Sequence, residues 1–208
     1  PAYHKRFVIV VKKQVAIIDS IGSNLASLKF ALDRIKIDFI VTNEVKQIRN
    51  SSHIILPGVG AAKNAMNKLS QQEIIETIAT LSQPTLGICL GMQIFMEHSE
   101  EDDTSCLGVF SDGCKLFETQ ENYPVPHMGW NTIELESSSN LSTGITSGTH
   151  FYFVHSYYVP LNSQTIASTT YSKKFSSIVQ KDNFVGTQFH PEKSGEQGSI
   201  LLKNFTDL

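Results

Sequence analysis

Apolar and polar positions follow two alternating periods along the first half of the chain. Short, nearly continuous apolar runs bounded by turn residues are typical of buried strands. Four such runs occupy residues 15–19, 37–42, 52–57 and 85–89. Between the first two, leucine and isoleucine recur at helical spacing over 24–36, with Ser23 as the predicted N-cap. Helical spacing returns in Ile74, Ile78 and Leu81. This alternation predicts a mostly parallel sheet with helices on both faces.

The second half carries a different pattern, in which short β-type runs follow one another without helical spacing between them. These runs occupy residues 151–154, 165–170, 176–180 and 184–189. Hairpin connections are expected there. A helix is predicted through Ile94 and Met96, and a last one over 198–205. The polar run 97–104 is predicted to be a solvated loop. The predicted fold is therefore α/β: a central, mostly parallel sheet flanked by helices, with additional antiparallel strands in the C-terminal half.

The apolar pattern also suggests where the main domain begins. The run at 15–19 has clear turn residues after it, whereas the apolar run at 7–11 comes before it without such punctuation. We therefore predict an N-terminal extension over 1–13 and one domain over 14–208. A chain of 208 residues suits one domain, and no repeat or linker divides it.

Charge and composition argue against several classes of partner. The formal net charge is −3 and the pI is near 6.2, with no basic cluster, so nucleic acid is not an expected partner. The run at 7–11 is too short to span a bilayer and two lysines follow it, so no membrane segment or signal peptide is expected. Cys89, Cys106 and Cys114 lack the spacing of a disulfide framework or a zinc site. A cytoplasmic setting without metal or cofactor is the prediction.

Cys89 is the candidate nucleophile. Gly87 and Gly91 flank it, and their missing side chains let the backbone turn sharply and neighbouring elements approach closely. A strand that turns through a nucleophile into a helix presents that side chain at the carboxyl edge of the sheet, where the helix N-terminus favours thiolate over thiol. On residue type alone, the alternative is a small buried hydrophobe.

A base and a group to orient it stand together in the sequence FHPE at 189–192. In an extended segment His190 and Glu192 point the same way, so Glu192 can bond one imidazole nitrogen and leave the other for Cys89. For this short motif alone, the alternative is a surface pair at a strand end. A metal site would need more ligands than the pair supplies.

The sequence LPGVG at 56–60 supplies a candidate oxyanion site. Glycine after a strand can turn a backbone N–H toward a ligand, and one such donor is worth about 3 kcal/mol of barrier. The N–H of Leu90, directly after Cys89, is the expected second donor. An ordinary turn is the alternative interpretation of LPGVG, and a phosphate-binding loop is excluded because the GK[ST] ending is missing.

Together these motifs resemble those of the class I (triad) glutamine amidotransferases. GICLGMQ at 87–93 is similar to the family's nucleophile motif and FHPE to its His and Glu motif. Within the family, LPGVG, HMGWN at 127–131, FVHSYY at 153–158 and GTQFHPEKS at 186–194 are similar to the glutaminase subunits of imidazole glycerol phosphate synthases. The similarity runs from about Gln14 to the C-terminus, and it implies a flavodoxin-like fold.

The resemblance implies that the substrate is L-glutamine and that the catalytic residues are Cys89, His190 and Glu192. Cys89 would attack the side-chain carboxamide, His190 would protonate the departing ammonia and Glu192 would hold the imidazole. Backbone N–H groups at Val59 and Leu90 would stabilise the oxyanions. The residues implied to hold the glutamine are Gly58, Gly60, Gln93, His155, Ser156 and Tyr157.

The resemblance also implies a partner, a HisF-type (β/α)8-barrel cyclase with which the chain forms a heterodimer. Ammonia would pass to the barrel for formation of imidazole glycerol phosphate and aminoimidazole carboxamide ribotide in histidine biosynthesis. The implied interface residues are Met128, Trp130, Asn131 and Lys193, although on residue type alone Trp130 suits a core equally well. The turn at 19–24, DSIGSN, departs from the family pattern near the expected partner surface.

Three alternatives remain open at the level of sequence. The chain could be a glutaminase that supplies ammonia to a different synthase, for sugar amidation or pyridoxal phosphate synthesis. The triad reacts only with glutamine and does not identify the acceptor of the ammonia. It could be a catalytically silent binding protein, against which the intact triad argues. It could be a cysteine peptidase, although no sequence feature demands an open cleft.

Overall fold

The computed structural model describes residues 13–19 and 25–208. The predicted N-terminal extension, apart from Lys13, and the predicted N-cap Ser23 therefore lie outside the described residues, as does most of the turn at 19–24. No helix in the described ranges is both long and apolar enough to cross a membrane.

A mixed sheet of eight strands forms the centre of the molecule. The strands of the described chain, in order, are β1 (Gln14–Ile18), β2 (Asp38–Thr42), β3 (His53–Gly58), β4 (Thr85–Cys89), β5 (Met96–Ser99), β6 (Thr104–Ser105), β7 (Phe110–Leu116), β8 (His127–Thr132), β9 (Glu134–Leu135), β10 (His150–His155), β11 (Tyr157–Tyr158), β12 (Thr165–Thr170), β13 (Lys174–Lys181) and β14 (Phe184–Thr187). The order in the central sheet is β2-β1-β3-β4-β14-β13-β12-β9. Pairing is parallel from β2 to β14 and antiparallel from β14 to β9. The predicted α/β fold with antiparallel additions is confirmed.

Two smaller sheets lie beside the central one. β8 pairs antiparallel with β10, and a four-stranded sheet has the order β11-β7-β5-β6. The sequence HMGWN therefore lies on a strand whose residues face the FYFV run of β10.

Helices cover both faces of the central sheet. They are α1 (Ala26–Arg34), α2 (Val45–Asn50), α3 (Ala62–Gln71), α4 (Ile75–Ala79), α5 (Leu90–Gln93) and α6 (Gly195–Thr206). Side chains of a strand alternate between faces, so Val15 and Ile17 of β1 pack in one apolar cluster, with residues of α1 and α6. Ala16 and Ile18 belong to the second cluster, with residues of α2, α3 and α4. Burial on both faces explains why β1 reads as a continuous apolar run.

Several predicted element bounds were wrong. The run 97–104 was predicted to be a loop, but its first part belongs to β5, which pairs with β7 and β6. The helix predicted through Ile94 and Met96 ends at Gln93, because the chain leaves it to enter β5. Both errors have one cause: β5 reads MEHS and is mostly polar, so it leaves no apolar run for a sequence pattern to reveal.

Helices α2 and α3 were not predicted. The buried positions of α3 are Ala62, Ala65 and Leu69, and alanine gives a weak apolar signal. The last helix begins at Gly195 rather than near 198. The chain start of the described domain meets this helix, since Lys13 Nζ donates hydrogen bonds of 2.6 Å to the carbonyl oxygen of Thr206 and to the carboxylate of Asp207.

Candidate active site

The site lies where neighbouring parallel strands of the central sheet end. β3 and β14 flank β4, and Gly58 at the end of β3 is the register partner of Cys89 at the end of β4. Residues 188–190 continue directly from β14. The carboxyl edge of a parallel sheet is where α/β proteins place their ligands. The topology therefore brings LPGVG, GICLG and FHPE together, although they are far apart in sequence.

The backbone at Cys89 adopts a conformation that L-residues rarely reach, with φ 54° and ψ −109°. Such a residue costs about 1–3 kcal/mol and persists only where the surroundings hold it. A Cβ on Gly91 would overlap the carbonyl oxygen of Leu56, and one on Gly87 would lie 2.6 Å from the carbonyl of Gly91. The prediction that the two glycines permit a sharp turn and close approach is confirmed.

The helix after Cys89 is a single turn, so the helix dipole contributes less to the thiolate than the strand–turn–helix pattern predicts. The thiol is 6% exposed and donates to the carbonyl oxygen of Val154 at 3.6 Å. The side-chain amide of Gln188 approaches Sγ at 3.8 Å. No sequence pattern singles out Gln188, since only the path of the chain after β14 brings it to the sulfur.

His190 and Glu192 form a buried pair in which Nδ1 and Oε1 are 2.7 Å apart. The prediction of an extended segment was wrong: Pro191–Lys193 is a 3-10 turn with proline in its first position. The turn brings the two side chains together in a different way. The backbone of His190 is fixed on both sides, because its N–H donates to the carbonyl of Tyr152 and its carbonyl accepts from the hydroxyl of Ser194.

The second nitrogen of His190, Nε2, is buried and has no hydrogen-bond partner in the described chain. Burial lowers the pKa of His190, but its interactions with Cys89 and with the carboxylate of Glu192 raise it more, to about 10. At neutral pH His190 is therefore protonated, with Cys89 and Glu192 as its neighbours. A cationic imidazole beside a cysteine is an arrangement that cysteine nucleophiles use.

A cavity of about 300 Å³ opens beside the thiol. The residues on its wall that the sequence predicted as site residues are Val59, Gly60, Cys89, Leu90, Gln93, His155, Ser156 and Tyr157. Gly58 does not line it but pairs with Cys89. Leu90 is the first residue of its helical turn, so its N–H has no acceptor within the helix, and Gly60 has φ 98°, which glycine adopts freely.

Glu101 is a cavity residue that the sequence analysis missed. Among the described residues it is the one carboxylate on the cavity wall, and its Oε2 accepts a 2.7 Å hydrogen bond from the N–H of Ala62 at the start of α3. Burial raises the pKa of Glu101. Glu101 belongs to the acidic run 97–104, which was predicted to be a solvated loop and was therefore not searched for site residues. A partly buried carboxylate in the same cavity as a nucleophile is suited to the ammonium group of a substrate.

The four predicted interface residues lie outside the cavity. Met128 and Trp130 are 62% and 57% exposed on β8, and Asn131 is half-buried. Lys193 Nζ lies 6.0 Å from the ring centroid of Tyr152, and the ring of Trp130 lies 6.1 Å from the same ring. The structure therefore brings Trp130 and Lys193 to one surface, each beside Tyr152.

Among the described residues, no group of three or more His, Cys, Asp or Glu side chains is arranged to hold a metal ion. The predicted absence of metal and cofactor thus remains a prediction from sequence.

Comparison with known sequences places these features in a family. The profile of the family "Glutamine amidotransferase class-I" matches residues 10–208. Imidazole glycerol phosphate synthase subunit HisH 2 of Legionella pneumophila (strain Lens) is 45% identical over 194 residues, which are 93% of this chain and 98% of that protein. The HisH subunits of Buchnera aphidicola subsp. Schizaphis graminum and Haemophilus influenzae are 45% and 44% identical, each over 93% of this chain and over 99% and 96% of their own.

Solved structures share the fold at low identity. A putative GMP synthase protein from Thermoplasma acidophilum has a TM-score of 0.73 at 18% identity, covering 94% of this chain and 93% of that one. PurLQS from Thermotoga maritima has a TM-score of 0.69 at 16% identity, covering 94% and 98%. At these identities the likeness concerns the fold alone.

Proposed function

Because this chain belongs to the class I glutamine amidotransferases and, within them, to the HisH subunits of imidazole glycerol phosphate synthase, we propose that it hydrolyses glutamine with Cys89, His190 and Glu192. The chain is thus the glutaminase subunit of an enzyme of histidine biosynthesis. The observation that carries the residue roles is the buried imidazole of His190, which is paired with Glu192 at 2.7 Å and whose pKa is raised to about 10 by Cys89 and Glu192.

The reaction proceeds through two half-reactions. The Cys89 thiolate adds to the side-chain carbonyl carbon of glutamine, and N–H groups at Val59 and Leu90 stabilise the oxyanion. His190 gives its proton to the amide nitrogen, the C–N bond breaks, and ammonia and a glutamyl thioester remain. Neutral His190 then takes a proton from water, whose oxygen attacks the thioester. Collapse of the second oxyanion releases glutamate and the thiolate.

The cavity wall supplies the contacts that orient glutamine. The carboxylate of Glu101 binds the α-ammonium group, because it is the acidic side chain on the described wall and is partly desolvated. Gln93 is buried and its amide nitrogen is held by the carbonyl of Tyr157 at 2.9 Å. The backbone of residues 155–157 lines another part of the wall.

The partner is a HisF-type (β/α)8-barrel that forms a heterodimer with this chain through Met128, Trp130, Asn131 and Lys193. Two observations support this. Met128 and Trp130 are large exposed apolar side chains on one strand, as expected for an interface core. His190, Glu192 and Lys193 also line one small cavity of about 70 Å³, so Lys193 lies next to the catalytic pair. The setting is the cytoplasm.

The test is release of glutamate from glutamine by the purified chain, alone and with a HisF-type barrel and its nucleotide ligand. We expect strong hydrolysis in the mixture. Cys89→Ala should lower it by more than about 10³-fold while leaving partner binding intact. Cys106→Ser and Cys114→Ser are the matched controls and should be silent, because burial raises the pKa of both thiols, that of Cys106 to about 11. Undiminished ammonia release by Cys89→Ala would rule out the thiol mechanism.

A further inference from the structure

Two buried histidines link the exposed strand β8 to the wall of the glutamine cavity. His127 and His155 are register partners on β8 and β10. Nδ1 of His127 lies 2.9 Å from Nε2 of His155, and Nδ1 of His155 lies 2.7 Å from the carbonyl oxygen of Tyr157. At the other end, the side-chain nitrogen of Asn131 lies 3.2 Å from Nε2 of His127. A continuous chain of hydrogen bonds therefore runs from Asn131 to Tyr157.

The groups at the two ends fix the direction of every hydrogen bond in the chain. The oxygen of the Asn131 amide accepts from the N–H of Thr132 at 2.8 Å, and its nitrogen donates to the carbonyl of Thr170 at 3.0 Å. The nitrogen thus donates to Nε2 of His127 as well. Nδ1 of His127 must then carry the proton that it gives to His155, which in turn donates from Nδ1 to the carbonyl at the far end. Each ring has one permitted tautomer.

The surroundings keep both rings neutral. The ring of His127 stacks against Phe153 and Tyr171, with centroids 5.0 Å and 4.2 Å away. Burial lowers the pKa of His127 to about 4 and that of His155 to about 3. A second proton on either ring would place an N–H donor opposite another donor, with no acceptor between them. The pair is therefore a rigid polar link within an aromatic cluster.

The same carbonyl connects the link to the nucleophile. The amide nitrogen of Gln93 donates to the carbonyl oxygen of Tyr157 at 2.9 Å and to the side-chain oxygen of Gln188 at 3.1 Å. The amide nitrogen of Gln188 approaches Sγ of Cys89 at 3.8 Å. Movement of the Tyr157 carbonyl would disturb both the cavity wall and the side chains that contact the sulfur.

We infer that His127 and His155 are positioning residues for glutamine hydrolysis, which hold the backbone of 155–157 in the conformation that binds glutamine. This inference rests on the proposed function. Burying two imidazoles among aromatic rings costs desolvation that apolar side chains would not incur, so stability alone does not account for them. What they provide is a fixed place for one backbone carbonyl on the cavity wall.

Two substitutions of His127 distinguish a role in positioning the cavity wall from a role in packing. In His127→Phe the ring remains to stack on Tyr171, but the donor to His155 is lost. In His127→Asn the amide nitrogen lies near the former Nδ1 and can still donate. With the HisF-type barrel and its ligand present, we expect the KM for glutamine to rise about tenfold in His127→Phe, with kcat changed less, and to stay within about twofold of the parent in His127→Asn.

His53→Phe is the control for replacing a buried histidine elsewhere. His53 begins β3, at the opposite end of that strand from Gly58, and its substitution should leave the KM unchanged. If His127→Phe does not fold, the double substitution with His155→Phe removes the unpaired nitrogen and should fold while retaining the raised KM.

Three outcomes would overturn the inference: an unchanged KM in a folded variant lacking the donor, an equal rise in His127→Asn, or an equal rise in His53→Phe. Hydrolysis by the parent chain in the same assay keeps these outcomes distinct from a failure of the proposed function.

Discussion

Glu101 is the residue whose role depends most on the folded structure. Its carboxylate reaches the cavity wall while capping the first N–H of α3. Because it is partly desolvated, its attraction to an ammonium group is stronger than that of an exposed carboxylate.

Glu101→Gln tests this role at the scale of one side chain. The amide oxygen can still accept from Ala62, but the charge is gone, so we expect the KM for glutamine to rise by about tenfold to a hundredfold with a smaller change in kcat. Asp103→Asn is the matched control, since Asp103 belongs to the same acidic run but its side chain is 98% exposed. Steady-state kinetics give both numbers, and an equal effect of the two substitutions would contradict the assignment.

The raised pKa of His190 predicts how stability and kcat/KM depend on pH. Its pKa is raised from the usual 6.5 to about 10, so protonation of His190 stabilises the fold fully below about pH 6.5, and that contribution is lost as the pH rises through about 10. The kcat/KM for glutamine should fall in the same alkaline range, since it reports the free enzyme.

Glu192→Gln tests whether His190 is the group that controls the alkaline limb of the kcat/KM profile. Loss of the carboxylate removes one cause of the raised pKa, so the alkaline limb of the kcat/KM profile should move to lower pH and the His190 resonances should titrate earlier by NMR. An alkaline limb that stays in place would mean that another group controls it.

At the scale of elements, the turn between β4 and α5 determines whether the nucleophile is presented at all. The turn holds a strained residue, and the neighbouring backbone comes too close for a side chain at Gly91. Gly91→Ala should lower the free energy of unfolding by about 3 kcal/mol, because the carbonyl of Leu56 cannot move without disturbing β3. Gly113→Ala, where a Cβ would meet its nearest neighbour at 3.4 Å, should cost much less. Denaturant unfolding compares them, and similar losses would refute the steric argument.

The sequence predicted an element where a short stretch of residues carried a clear apolar or glycine pattern, and failed where it did not. β1, β3 and β4 were predicted because burial on both faces leaves continuous apolar runs, and the turn at Cys89 because its glycines flank it symmetrically. β5 was missed because it is mostly polar, so it leaves no apolar run. Glu101 and Gln188 were missed for the same reason: each is an ordinary polar residue in sequence, and only the tertiary path brings it to the cavity or the sulfur.

Across the molecule, the β8–β10 pair connects the cavity to the predicted partner surface. Val154 lines the cavity, and its register partner Met128 is exposed beside Trp130 on β8. This proximity suits an enzyme that passes a product from its cavity to a partner.

Trp130→Ala tests the partner surface. Loss of a large, exposed aromatic anchor should weaken binding to the HisF-type barrel by about 2 kcal/mol, or roughly thirtyfold in Kd, by titration calorimetry. Leu161→Ala is the control, because Leu161 is also an apolar residue and is 44% exposed. Leu161 precedes β12, whereas the predicted interface residue Asn131 donates a hydrogen bond to Thr170 at the other end of that strand, so the two sites are apart. Equal losses in the two variants would place the interface elsewhere.

The contact of Lys13 with Thr206 and Asp207 has a topological consequence. It puts the beginning of β1 beside the end of α6, so the described backbone follows an almost closed circuit. Strand order in the central sheet is held by inter-strand hydrogen bonds and does not depend on where that circuit is cut. A short linker from 207 to 13, with new ends opened in the exposed loop 119–122, would give a circular permutant of the same architecture. Such a permutant would let a partner domain be fused at a chosen point on the surface instead of at the natural end of the last helix.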